Sequence, residues 1–426
     1  MNIEEPTIRI DDPPPEPPKK LSDSEITAHT ASLWNYVPVD ESGFLPHAEY
    51  STDFLQIGTS AAICASVRGK KHKHDGSNRD DWYTVENADG WAVLAVSDGA
   101  GSKALSRIGA RVSCETAADT LKTALLQLRE EEPSICDQLV SPMTEPAFQS
   151  ACALLAKAVQ DAVIAARSAV TDTAEQAAQD DAYTNALGRA AAVNDFSATL
   201  LLAAAIPLVI DEKTEQLVIT CQIGDGMIAL VTPDAPFESA AKLLCEPDSG
   251  DFAGETDFLT SEKVSRPEQL MPRTRISRGQ AGCLLLMTDG VSDDYYPAEP
   301  QVRRLYLDLL INGILSDGKK PVPITPPMLR ILKNIEKPTA YPWVNDPTQS
   351  LSLYSMEEIC SQTALSLADA WKLQSLWCHS AAIARPLRQL DAPEQRLCKW
   401  LDHYVRRGSF DDRTLVILSF EGGETP

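Results

Sequence analysis

Trp91-Ala-Val-Leu-Ala-Val96, followed at once by Ser97-Asp98-Gly99, is the stretch on which the reading of this chain turns. A short, wholly apolar run that stops at a turn dipeptide reads as a buried strand carrying an aspartate at its mouth. The arrangement recurs. Cys283–Met287 runs into Thr288-Asp289-Gly290, and Asp411-Asp412 precede a last strand at Thr414–Phe420. Asp225 lies in Gly224-Asp225-Gly226, between strands predicted at Gln216–Ile223 and Met227–Val231, where the glycines suit a tight hairpin turn. Asp80-Asp81 come shortly before the opening run, and a further strand is predicted at Ala198–Ile206.

Between these strands the period changes to that of helices. Leu105, Ile108 and Val112, then Leu121 and Leu125, share one face, and an alanine-rich helix is predicted over roughly residues 147–170 with Leu155, Val159 and Val163 inward. Strands, two helices and more strands predict α+β layers rather than a parallel βαβ sheet. From Asp294 to Gly408 the pattern is helical again. Ser355-Met-Glu-Glu358 reads as a capping box opening a helix to about Leu376, and Asp391-Ala-Pro-Glu394 opens another that ends near Gly408. Residues 295–407 are therefore expected to form a helical insertion or subdomain before the last strand. Trp371, Trp377 and Trp400 stand at helical spacings among apolar neighbours and are expected in a core.

Composition narrows the function. The 426 residues carry 38 Lys and Arg against 61 Asp and Glu, a formal charge of −23, which argues against nucleic acid as the main partner. Ten scattered cysteines without a CxxC pair, and no secretory signal in the acidic, proline-rich opening, point to a reducing compartment and a cytoplasmic protein. The most apolar stretch, Ala198 to Ile210, contains Pro207 and is shorter than the about 20 residues a helical span needs, so no membrane segment is expected. Residues 1–45 read as a proline-rich, acidic arm and 422–426 as a short tail; 46–294 with 408–421 are left as the main folded unit.

Asp-Gly is a common turn dipeptide, and any one of these aspartates alone reads as a turn. Brought together at strand mouths, they would repel one another unless cations neutralised them. All-oxygen ligands with few histidines select Mg²⁺ or Mn²⁺ rather than zinc.

Six stretches carry more than composition: Asp80-Asp81-Trp-Tyr83, Val96-Ser-Asp-Gly-Ala-Gly-Ser102, Phe196-Ser-Ala-Thr199, Ile223-Gly-Asp-Gly226, Thr288-Asp-Gly-Val-Ser-Asp293 and Phe410-Asp-Asp-Arg-Thr414. In order and approximate spacing the chain resembles the metal-dependent protein serine/threonine phosphatases of type 2C, in particular their bacterial branch, over about residues 58–294 and 408–420. Gly250 to Leu259 looks like the flap segment of bacterial members.

The resemblance implies a four-layer α/β/β/α sandwich of two antiparallel sheets flanked by helices, with two Mg²⁺ or Mn²⁺ ions at one end. By motif, Asp98 would bridge both ions and the Gly99 carbonyl would complete one shell. Asp289 and Asp411 would hold the first metal. Asp81, with Asp80 beside it, would serve the second, partly through water, and Asp225 and Asp293 a third, weaker ion. The implied reaction is in-line attack on phosphoserine or phosphothreonine by a hydroxide bridging the metals. The partners would be a phosphorylated protein and a cognate kinase, with no nucleic acid and no membrane. Two alternatives stand beside this reading: an inactive phosphatase fold used as a regulatory module, and a phosphatase of small phosphorylated metabolites.

The chain departs from the family in two places. Ala100 stands where many members carry a histidine that protonates the leaving group. Gly76 stands where members carry a phosphate-gripping arginine, so Arg68, His72, His74 and Arg79 are the candidates for that task, against a solvated basic loop over Arg68–Asp75. The insertion, leaving and re-entering the sandwich beside metal aspartates, is expected to flank the active-site mouth and help select the substrate.

Overall fold

The computed structural model describes residues 35–245, 257–336, 340–342, 350–403 and 410–420. The arm over residues 1–34, most of Gly250–Leu259, the return at 404–409 and the tail at 422–426 lie outside the described residues.

Three hairpins begin the sandwich. β1 (Tyr50–Ile57) pairs with β2 (Ser60–Val67), and β3 (Trp82–Ala88) with β4 (Trp91–Ser97) across Asp89-Gly90, both at positive φ. β5 (Leu200–Ile210) pairs with β6 (Lys213–Ile223) across Asp211-Glu212, also at positive φ, the backbone a twisted two-residue hairpin needs. β7 (Met227–Val231), β8 (Ala241–Leu243), β9 (Thr274–Gly279) and β10 (Cys283–Met287) follow, then a small separate pair, β11 (Ala340–Pro342) and β12 (Ser350–Ser352), and finally β13 (Arg413–Ser419). One sheet has the order β1-β2-β13-β10-β7-β8, the other β3-β4-β5-β6-β9, and every pairing is antiparallel.

The Gly224–Gly226 turn is not a hairpin. β6 belongs to the five-stranded sheet and β7 to the six-stranded one, so the chain crosses between layers there. Gly224, at φ +109° with Thr199 where a Cβ would stand, permits the sharp change of direction.

Strand parity explains why the central runs are apolar throughout. Ala92, Leu94 and Val96 point between the sheets with Leu284, Leu286, Val416 and Leu418, whereas Trp91, Val93 and Ala95 face a helical layer. That layer comprises the helices Ser106–Glu131 and Pro146–Ala177. They cover the five-stranded sheet with Leu105, Ile108, Leu121, Leu125, Leu155, Val159 and Val163.

The opposite face is closed by the described residues between 298 and 403. Val302, Leu305, Leu309, Trp371, Trp377, Trp400 and Leu401 pack in one core with Ala65, Leu285, Met287, Leu415 and Ile417 of the six-stranded sheet. The expected insertion is thus the fourth layer of the sandwich. Its helices differ from expectation too. The helix opening at Ser355 ends at Thr363, where Ala364 takes a left-handed conformation, and separate helices follow at Leu367–Trp371 and Gln374–His379. Ser355 makes no capping bond, and the first N–H of the helix, that of Met356, donates to Asp308 at 2.6 Å.

Candidate metal centre and active site

The end of β4 holds Asp98 rigidly. Its N–H donates to Thr199 Oγ1, and its carbonyl accepts the Thr199 N–H, both at 2.8 Å. Asp289 opens the short helix Asp289–Ser292 directly after β10, and Asp411-Asp412 lead into β13, which pairs with β10 from Met287↔Leu415 onward. Asp225 arrives on the crossover after β6. One carboxylate oxygen from each of Asp98, Asp225 and Asp289 lies within 4.8 Å of the others, all three residues being partly buried.

Asp81 sits beneath them at 1% exposure. Its Oδ2 accepts hydroxyl bonds from Thr288 (2.9 Å) and Thr414 (2.7 Å), while its buried Oδ1 has no hydrogen-bond partner. The adjacent carboxyl is that of Asp98. Asp412 is a backbone anchor: its two oxygens accept the N–H groups of Gly69 (2.6 Å) and Asp80 (2.5 Å).

The electrostatics record the crowding. Burial, then the charge of Asp412, lifts Asp80 and Asp81 to about 7. Burial, then Asp225, Asp81 and other carboxylates, lifts Asp289 to about 8. Asp98 is pushed well above the usual range by burial and by Asp289 and Asp81, and Asp293 is raised by burial and Asp225. Asp411 differs. Burial would raise it, but a bond from His72 holds it below the ordinary value. An orphaned buried oxygen and a set of mutually destabilised carboxylates fit divalent cations, and a donor set made only of oxygen fits the hard ions Mg²⁺ and Mn²⁺.

The basic segment is no solvated loop. Residues Lys70–Asp75 form a helix in which Lys70, His72 and Lys73 are buried. Lys73 Nζ donates to Asp402 Oδ1 at 2.5 Å, tying this helix to the fourth layer. His72 meets Asp411 Oδ1 through Nε2 at 3.2 Å and the Asn78 carbonyl through Nδ1 at 2.6 Å. Burial opposes its charge, but Asp411 and Asp412 lift it to about 10. It is an imidazolium that orients Asp411.

Arg68, 1% exposed, spends its guanidinium on Glu49 (2.8 Å), the Val37 carbonyl and the His72 carbonyl. Arg79, equally buried, donates to the Ala48 carbonyl and lies over the Trp82 ring. His74 Nδ1 accepts the Asn35 N–H at 3.0 Å. Both arginines are therefore placed as internal struts, away from solvent. Thr199, Thr288 and Thr414, which orient Asp98 and Asp81, lie within the stretches quoted above, but threonine beside a strand-end aspartate carries no distinctive sequence signal.

Antiparallel layers with carboxylates clustered at one end suit a metal-dependent phosphoester hydrolase. The family model described as Protein phosphatase 2C matches residues 68–312, and the chain belongs to that family. It is a metal-dependent protein serine/threonine phosphatase. No curated protein matches the chain. Among solved structures it is similar to RsbX in complex with magnesium (11% identity, 87% of this chain and 99% of that one, TM-score 0.31). It is also similar to Stp1 from Staphylococcus aureus (12%, 91% and 99%, 0.31) and to a phosphatase from Toxoplasma gondii (11%, 88% and 95%, 0.39). The assignment rests on the family match. Among the described residues no helix is long and apolar enough to cross a membrane.

Proposed function

We propose that the chain dephosphorylates phosphoserine or phosphothreonine in a protein that a cognate kinase modifies, using two Mg²⁺ or Mn²⁺ ions and a third, weaker one. Asp98, Asp289 and Asp411, with the Gly99 carbonyl, would hold the first pair, and Asp80 and Asp81 would complete the shells. Asp225 and Asp293 would serve the third. The observation that carries this reading is the buried carboxyl of Asp81, which adjoins the carboxyl of Asp98 and has an Oδ1 that no protein N–H or hydroxyl satisfies.

Bound divalent cations supply an acidified water and neutralise charge on the phosphoryl oxygens. The chain's own part is positioning. Thr288 and Thr414 fix Asp81 through one oxygen and leave the other free to ligate. Thr199 fixes the peptide of Asp98, and His72 holds Asp411 in its ionised form. Hydrolysis of p-nitrophenyl phosphate and of a phosphothreonine peptide, with Mn²⁺, with Mg²⁺ and with chelator, tests the proposal. Both activities should require metal and fall more than about 100-fold in Asp98→Asn, since changes in outer-shell partners alone cost about 10–100-fold. Metal-independent turnover, or an Asp98→Asn enzyme of normal rate, would refute it.

A further inference from the structure

The fourth layer holds a cluster of a different kind, beyond the residues that the family model matches. Asp317 follows the helix Ala298–Ile311, and Cys378 and His379 end the helix Gln374–His379. One donor atom from each lies within 4.8 Å of the others, and His379 Nε2 meets Asp317 Oδ1 at 2.7 Å.

We propose that Asp317, Cys378 and His379 form a zinc-binding site that clamps the outer helical layer. Thiolate, imidazole and carboxylate together are the donors of a borderline-soft ion in tetrahedral geometry, unlike the all-oxygen set around Asp98. The surroundings are those of oriented ligands. The Asp317 carboxylate is completely buried, with Oδ2 accepting the Ser375 hydroxyl at 2.7 Å and Oδ1 the Lys319 N–H at 3.1 Å. Arg388 donates to the Cys378 carbonyl at 2.7 Å and stands 4.0 Å from its sulfur, where its charge partly opposes the burial that raises the thiol.

The His379 side chain is 19% exposed, Asp317 and Cys378 are buried, and the neighbouring Lys319, Gln374 and Ser375 line an open groove of about 740 Å³ beside the cluster. Binding would replace the direct His379–Asp317 contact, set the three donors at roughly 3.3–3.8 Å from one another, release the thiol proton and leave the fourth position to water. It would join the segment Ser316–Lys319 to the helix Gln374–His379. The Cys378 thiol, buried in the core and 4.0 Å from the Ser316 hydroxyl, is the donor that a plain aspartate–histidine ion pair does not use.

The thiol therefore supplies the test. Co²⁺ is titrated into the full-length protein while the near-ultraviolet thiolate-to-cobalt charge-transfer band is followed. One equivalent should produce the band and Zn²⁺ should abolish it. Cys378→Ser should lack the band, and His379→Gln should bind Co²⁺ at least ten-fold more weakly. Both variants should retain metal-dependent turnover of p-nitrophenyl phosphate, which separates this site from the aspartate centre. The absence of a band from folded wild-type protein, a band that survives in Cys378→Ser, or unaltered affinity in His379→Gln would overturn the proposal.

Discussion

Asp81 divides its carboxylate, one oxygen satisfied by two threonines and the other buried without a donor. Such a residue is stable only if a proton or a cation supplies what the protein omits. This gives a prediction with a definite sign. In metal-free protein Asp80 and Asp81 titrate at about 7 and Asp289 at about 8, whereas unfolded aspartate titrates near 4. Between those values the folded state binds more protons than the unfolded one, so stability falls as pH rises. His72, raised to about 10, adds to the fall above its unfolded value. His47 and His403, buried with lowered values, act in the opposite sense only below about 6.5. In EDTA the urea midpoint should be lower at pH 8 than at pH 6.5, and saturating Mg²⁺ should remove the decline. A midpoint that rises over this interval in EDTA would contradict the cluster's electrostatics.

At the scale of elements, the centre exists because strand ends abut. Gly290, second residue of the helix that Asp289 opens, leaves no space for a side chain: a Cβ there would stand 2.0 Å from the Asp412 carbonyl oxygen. Gly290→Ala must therefore push the start of that helix away from the entry to β13, separating Asp289 from Asp411. Misplacement of about 1 Å can cost about 100-fold in rate, and kcat/KM for p-nitrophenyl phosphate should drop by that order, with weakened metal affinity seen by calorimetry. Unchanged kinetics would show that the helix start and the strand entry are not coupled. The helix Lys70–Asp75 shows the limit of reading elements from composition. Its lysines and histidines suggest a solvated loop, but Asp402 and Asp411, both remote in sequence, draw Lys73 and His72 into the interior. Arg68 is a strut for a similar reason, since Glu49 meets it from β1's approach.

Across the whole molecule, the fourth layer is a condition of the fold, because without residues 298–403 the outer face of the six-stranded sheet would meet water. Trp377, fully buried with its indole N–H donating to the Ala370 carbonyl at 2.7 Å, lies in that core. Trp377→Ala should cost about 3–5 kcal/mol, as large-to-small changes of buried aromatics do. It should lower the unfolding midpoint of the phosphatase as one cooperative transition. A separate transition for the helical layer, leaving the midpoint of the rest unmoved, would show it to be an independent unit.

Much of the layering was legible beforehand because it is periodic. Apolar runs with an aspartate at one end disclose β4, β6, β7, β10 and β13, and four-residue spacing discloses the two long helices. β1, β2 and β3 were not assigned: β1 and β3 mix polar with apolar residues along half-buried edge strands, and β2 is rich in small alanine and serine. The sequence by itself determined the order of strand-end carboxylates, and with it the family and its metal chemistry, because these are properties of local pattern and spacing. Only the tertiary structure decided that Gly224–Gly226 joins two sheets, that Arg68 and Arg79 are internal struts, and that residues 298–403 complete the sandwich. Each of these depends on which distant groups share a buried contact, and no local period encodes that.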